Sequence, residues 1–144
     1  MRIAIYSRGL EANQREGLKL LLAELAHYKI EPVVYQNLFN EFYSSIDIRN
    51  KYSTFNSPED LEDIDCLVSL GGDGTLLDAV TFAADKEIPV LGINYGRLGF
   101  LASIGKDELD LAVKAGAILH LSIGQFFFSD AFRCDIGNYC VHLA

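Results

Sequence analysis

Gly71-Gly72-Asp73-Gly74-Thr75 stands between two segments of different pattern. The run before it, Asp65-Cys66-Leu67-Val68-Ser69-Leu70, is short and apolar and predicts a buried strand over residues 65–70. The run after it, Leu76-Leu77-Asp78-Ala79-Val80-Thr81-Phe82-Ala83-Ala84, predicts a helix. A strand passing through a glycine-rich turn into a helix is the joint of a βα unit. Such joints bind phosphate through backbone N–H groups and the positive end of the helix. Gly71, Gly72 and Gly74 permit positive φ and close approach of a ligand to the backbone. Thr75 brings a hydroxyl to the helix start, able to cap it or to touch a phosphate. Asp73 puts a carboxylate in the middle of a turn suited to anions. Catalysis or metal binding would account for it, and so would a plain N-terminal cap; both readings stand at this point. No Lys-Ser or Lys-Thr closes the turn as in a Walker A loop, and the Gly-x-Gly-x-x-Gly dinucleotide fingerprint is absent from it.

The rest of the chain alternates strands and helices. Residues 2–7 predict a first strand, and residues 13–28 a helix whose Leu18, Leu21, Leu22 and Leu25 form one apolar stripe. Residues 31–35, with Val33-Val34, predict a second strand. Residues 38–48 read as a helix with Phe39, Phe42, Tyr43 and Ile46 on one face, and residues 50–56 as polar and irregular. Ser57-Pro58-Glu59-Asp60 has the composition of a short helix start. Residues 88–93 predict another strand, 94–99 a second glycine-containing turn, and 106–114 a further helix. This alternation predicts an α/β fold: a mostly parallel, Rossmann-like sheet with helices on both faces. In such sheets ligands bind outside the carboxyl ends of the strands. Each glycine turn comes directly after a strand, so the two are expected to flank one crevice.

Charge limits what such a crevice can hold and how. The 144 residues carry 12 basic and 20 acidic side chains, a net charge of −8. No basic stripe is present, which argues against sequence-independent nucleic-acid binding. An acidic chain that binds phosphate must use backbone amides, isolated Arg or Lys, and a divalent cation. No apolar run approaches the roughly 18 residues of a membrane span, and the first residues turn polar too soon for a secretory signal. No membrane partner is therefore expected, and a cytoplasmic location is the default reading. Cys66, Cys134 and Cys140 match no zinc or thioredoxin spacing, and Cys66 reads as a buried, inert thiol. His27, His120 and His142 lack partners in the sequence pattern, so no catalytic histidine and no metal-ligand residues are assigned.

The second turn adds specificity. Pro89-Val90-Leu91-Gly92-Ile93-Asn94-Tyr95-Gly96-Arg97-Leu98-Gly99-Phe100-Leu101, downstream of residues 71–75, resembles the NAD kinase (ATP-NAD kinase) family in the order and spacing of the two motifs. The resemblance spans Met1 to about Lys114 and corresponds to the family's N-terminal nucleotide-binding domain. It implies ATP-dependent phosphorylation of NAD at the 2′-hydroxyl of the adenosine ribose, giving NADP. Asp73 would be the general base, with Mg²⁺ or another divalent metal on the phosphates of the ATP donor. Gly71, Gly72, Gly74 and Thr75 would line the nucleotide site. Asn94 would hydrogen-bond a ligand or close a local Asx-turn, and Arg97 would reach a phosphate or stay solvated. Asp78 departs from the pattern, since many members carry a basic residue or histidine there. The acid speaks against direct phosphate contact and leaves contact with ribose or metal.

The family continues into a second, β-rich domain with an Asn-Glu pair, and no such pair comes after the second turn in these residues. Residues 1–114 are therefore expected to form the kinase-like α/β domain. Residues 115–144 read as an atypical tail, rich in Phe and Cys, of the kind a truncated or frame-shifted reading gives. Full-length members commonly form homo-oligomers. The competing readings are an inactive nucleotide-binding fragment of such an enzyme and a diacylglycerol-type lipid kinase, which shares the Gly-Gly-Asp-Gly turn. In that class an Asn-Glu pair usually comes after the turn, where this chain has Leu76-Leu77-Asp78.

Overall fold

The computed structural model describes residues 1–9, 11–43, 52–94, 104–105 and 141–142. In chain order the elements are β1 (Arg2–Tyr6), α1 (Ala12–His27), β2 (Glu31–Tyr35), α2 (Gln36–Tyr43), β3 (Ser53–Phe55), β4 (Cys66–Leu70), α3 (Asp73–Ala83), β5 (Val90–Asn94), β6 (Ile104–Gly105) and β7 (Val141–His142). The sheet runs β3-β2-β1-β4-β5-β6, every neighbouring pair parallel. β7 adds antiparallel to β5, pairing Val90 with His142 and Leu91 with Val141. The chain steps outward from β1 through β2 to β3, then returns to the other side of β1 for β4 and steps outward again to β5 and β6. The order reverses between β1 and β4, so their carboxyl ends open the crevice of a doubly wound sheet.

Strand alternation sends side chains to two cores. On one face Ile3, Ile5, Val34, Val68 and Leu70 pack against the leucine stripe of α1 (Leu18, Leu21, Leu22 and Leu25) and Leu38 of α2. On the other, Ala4, Val33, Phe55, Leu67 and Val90 pack against Leu76, Ala79 and Ala83 of α3. Helices thus cover both faces, as the alternation of elements predicts. Lys29, at φ 57°, ends α1 by turning the chain so that the N–H of Ile30 bonds Leu25 O at 2.8 Å.

The structure moves several boundaries. Residues 50–56 do not read through as irregular: Ser53–Phe55 forms β3, with Val33, Val34 and Tyr35 paired to Ser53, Thr54 and Phe55. Three residues are too few to show a period, and beyond its pairing with β2 the strand is anchored by the one buried side chain of Phe55. Phe55 is 1% exposed and its ring meets Tyr35 and Phe82 at centroid distances of 5.4 and 5.9 Å. The expected helix after Ser57 is a single 3₁₀ turn, Pro58–Asp60, whose Asp60 carboxylate accepts the N–H groups of Asn56 and Ser57. The strand expected over 88–93 is Val90–Asn94. α2 starts two residues earlier than expected, at Gln36. Ile46, the turn after Asn94 with Arg97, the helix expected over 106–114, Cys134, Cys140 and His120 lie outside the described residues.

Phe55→Ala is expected to lower unfolding stability by about 3–5 kcal/mol, the usual penalty for emptying an aromatic core site. Ser53→Ala, at the exposed start of the same strand, should change it by less than about 0.5 kcal/mol. Urea unfolding of the full chain, monitored by far-UV circular dichroism, checks both.

Candidate functional site: the crevice between β1 and β4

The site begins with a backbone demand at Gly71. Its φ is +153°, and a Cβ there would fall 2.5 Å from Thr75 Oγ1 and 2.9 Å from Thr75 Cβ. No other residue fits the space or the conformation. Gly71 is buried and donates its N–H to Ile93 O of β5 at 3.0 Å, which fixes the turn to the sheet. Gly72 behaves differently. It is exposed, its φ of −89° is open to any residue, and a Cβ there would meet nothing within 4 Å. One glycine of the pair is required by the turn; the other leaves open space in front of it.

α3 starts earlier than the sequence suggests, at Asp73 rather than at Leu76. Gly72 is its N-cap, so the reading of Asp73 as the cap is corrected. A glycine can take this place because the cap is carried by its carbonyl: Thr75 and Leu76 return their N–H groups to Gly72 O at 3.0 and 3.1 Å. The N-cap position itself contributes no side-chain bond. Asp73 is then the first helical residue, half-buried, where the field of α3 favours negative charge by about 0.3–1 kcal/mol. Thr75 is buried under the turn, 8% exposed, beside Gly71.

β1 supplies the opposite wall, which sequence reasoning did not assign. Ser7 is buried, and its Oγ lies 2.7 Å from Leu70 O and 2.8 Å from Gly9 O. One hydroxyl thus ties the carboxyl ends of β1 and β4 together. Arg8 then turns its guanidinium onto α3. Nε and Nη2 donate to Asp78 Oδ2 and Oδ1 at 2.5 and 2.8 Å, a bidentate pair. Tyr6 donates its hydroxyl to Asp78 Oδ2 at 3.0 Å. A Cβ on Gly74 would approach Arg8 Nη1 to 3.0 Å, so the guanidinium lies beside the first turn of α3. The Arg8 and Asp78 side chains are 59% and 34% exposed, and an ion pair so wet contributes only about 0–1 kcal/mol.

The expected site residues Gly71, Gly72, Asp73, Gly74, Thr75 and Asp78 are brought together around the start of α3. Asp78 lies one turn further on, with both carboxylate oxygens engaged by Arg8 and Tyr6. Asn94 ends β5, its backbone in register with Gly105, two strands from β1. Arg8's hydrogen bonds hold the Asp78 carboxyl below the ordinary aspartate range. Burial, with the bond to Asp78 second, pushes the Tyr6 phenol up to about 12. Cys66 opens β4 and is half-buried rather than buried as expected; burial pushes its thiol up to about 12. The one signal in the sequence that could have found Arg8 is its place, two residues beyond the first strand of a doubly wound sheet.

A doubly wound parallel sheet with a glycine turn leading into a helix at its switch point defines the class: an α/β domain of the kind whose strands end at a ligand-receiving edge. Within that class the family is specific. Residues 12–123 match the family described as the ATP-NAD kinase N-terminal domain, and the chain belongs to it. It is 36% identical over 115 residues to the NAD kinase of Flavobacterium johnsoniae, covering 79% of this chain and 39% of that protein. It is 32% identical over 131 residues to the NAD kinase of Cytophaga hutchinsonii, covering 90% of this chain and 43% of that protein. The chain thus spans about two fifths of the length of these curated relatives. The crystal structure of yeast NADH kinase complexed with NADH shares the fold at a TM-score of 0.69, over 81% of this chain and 35% of that one, with 22% identity. No described helix is long and apolar enough to cross a membrane.

Gly71→Ala is expected to destabilise the chain by about 1–3 kcal/mol through the forced backbone and the Thr75 contact. Gly72→Ala should shift it by less than about 1 kcal/mol. Urea midpoints of the two variants compare them directly. Asp78 has a folded-state pKa below its unfolded value, so its pairing stabilises the chain above the ordinary value of 3.8, and that contribution is lost as pH falls below it. The stability gap between the wild type and Asp78→Asn should be present at neutral pH and close in stronger acid, read from unfolding curves across the range.

Proposed function

We propose that residues 1–114 form the nucleotide-binding domain of an ATP-dependent NAD kinase, with residues 115–144 a tail outside it, and that Asp73 is the general base. The observation that carries the reading is the place of Asp73. It is the first residue of a helix whose N-cap is a glycine, at the switch point and next to the open space at Gly72, in a chain of the ATP-NAD kinase N-terminal family. The names of the relatives, NAD kinase and NADH kinase, point to a dinucleotide acceptor.

In the reaction the ribose 2′-oxygen of NAD forms a bond to the γ-phosphorus of ATP, and the bond from that phosphorus to the ADP oxygen breaks. A ribose hydroxyl is a weak nucleophile, so a carboxylate within hydrogen-bond reach orients it and takes its proton as the new bond forms. The proton rests on Asp73, and ADP leaves. The remaining task is to hold charge in place. The first turn of α3, with Gly72 and Gly74, offers backbone donors and a positive field to phosphate. A divalent cation such as Mg²⁺, bound with the donor's phosphates, supplies neutralising charge. Asp73, at the start of α3, is the carboxylate we assign to meet a cation arriving on phosphate. The setting is the cytoplasm, with homo-oligomers in the longer members.

A second reading, nucleotide binding without turnover, is favoured by one observation: the chain spans about two fifths of the length of its relatives. One experiment separates the two. The purified chain is mixed with ATP, Mg²⁺ and either NAD or diacylglycerol, and NADP is read with an NADP-specific dehydrogenase. NADP formation that falls about 10²–10⁴-fold in Asp73→Asn is the expected result. An unchanged rate in that variant overturns the base assignment. Nucleotide binding without product supports the second reading, and product from the lipid alone overturns both.

A further inference from the structure

We propose that Arg8 is a phosphate-binding residue of this site and that Asp78 is the positioning residue that aims it. The inference rests on the nucleotide-binding reading above and adds to it the source of the site's cationic side chain.

Arg8 leaves the carboxyl end of β1, at the reversal of strand order where a doubly wound sheet receives its ligand. Its guanidinium is held in one orientation from one side. The edge carrying Nε and Nη2 is taken by the two oxygens of Asp78. Asp78 is itself fixed by the Tyr6 hydroxyl, and Tyr6 is buried at 6% exposure. The end carrying Nη1 lies beside Gly74, in the first turn of α3. A phosphate seated on the amides of that turn therefore meets a guanidinium already turned toward it. A planar fork of donors suits a phosphate oxygen pair, and an aimed fork loses less side-chain entropy on binding than a free one. The pair is too exposed to be explained by stability: Arg8 is 59% exposed. Gly74 suits the same arrangement, since any side chain there would press on Nη1.

Equilibrium titration of the full chain with ATP, ADP and adenosine tests both roles. Arg8→Gln is expected to weaken ATP and ADP about 10-fold or more, the range for a charge-assisted bond, and to leave adenosine within about twofold. Arg8→Lys should recover part of the loss, as a charge without the fork. Asp78→Asn removes a negative charge from the site, so a simple charge effect would tighten ATP. If Asp78 aims Arg8, the variant instead weakens ATP several-fold, and the double variant loses no more than Arg8→Gln alone. Equal loss for adenosine and ATP in Arg8→Gln, or no loss for either, overturns the assignment, as does a wild-type chain that binds neither ATP nor ADP. Tighter ATP binding by Asp78→Asn overturns the aiming role. Because binding is read without turnover, a chain that holds ATP through Arg8 but forms no NADP separates this inference from the kinase reading.

Discussion

The parallel pairing of β1 with β4 is the contact on which the site depends. It joins Ile3 to Cys66 and Tyr6 to Ser69, so it closes more than half the described chain into one loop before any ligand group is in place. Because both strands run the same way, the register that pairs Tyr6 with Ser69 brings Ser7 and Arg8 at the end of one level with Leu70 and Gly71 at the end of the other. The buried Ser7 hydroxyl, between Leu70 O and Gly9 O, fastens the two ends. A one-residue slip in this pairing would move Tyr6 to the opposite face of the sheet and take Arg8 away from Asp78. The hydrophobic pattern prevents it: Ala4 and Leu67 belong to the core under α3, Ile5 and Val68 to the core under α1.

α3 is anchored in the core along its length and begins directly at the glycine turn. Leu76, Ala79 and Ala83 sit in the core with Leu67 and Val90, fixing the axis of the helix against the sheet. Its N-cap position contributes no side-chain bond, and the conformation of Gly71 directs the chain into the helix. A rigid helix with backbone donors at its start holds a ligand more sharply than a loop can. The two neighbouring glycines divide the work. Gly71 is dictated by the fold, and Gly72 leaves the approach clear.

The range of the forces involved decided how much could be read from the sequence. The α1 stripe, the valines of β2 and the apolar run of β4 are local patterns, and each became the expected element. The glycine turn was legible because its residue types are themselves the signal. β3 was not, since its three residues owe their place to Phe55 reaching Tyr35 and Phe82 from far away in sequence. The early start of α3 was missed because glycine and aspartate read as turn formers, while in the fold the Gly72 carbonyl already accepts the first helical bonds. Arg8 was missed for the same reason of range: its partner Asp78 is separated from it by 70 positions. Asp78 itself stands as an acid where a base was expected, but the cation that answers it lies beyond the end of β1.

That exchange bears on how an acidic chain can hold a polyanion at all. A net charge of −8 repels ATP and NAD at long range, yet at physiological ionic strength such repulsion is screened beyond roughly 8 Å. Inside that distance only local groups count. Asp73 and Asp78 alone would make the start of α3 hostile to phosphate. Arg8 offsets Asp78 through its bidentate pair, so the acid of the second turn weighs less against the field at the start of the helix. Taking the cation from β1 rather than from α3 also couples charge to fold, because the guanidinium reaches the helix only when β1 and β4 are paired. The balance of charge around the start of α3 is therefore a property of the assembled switch point and of no single segment.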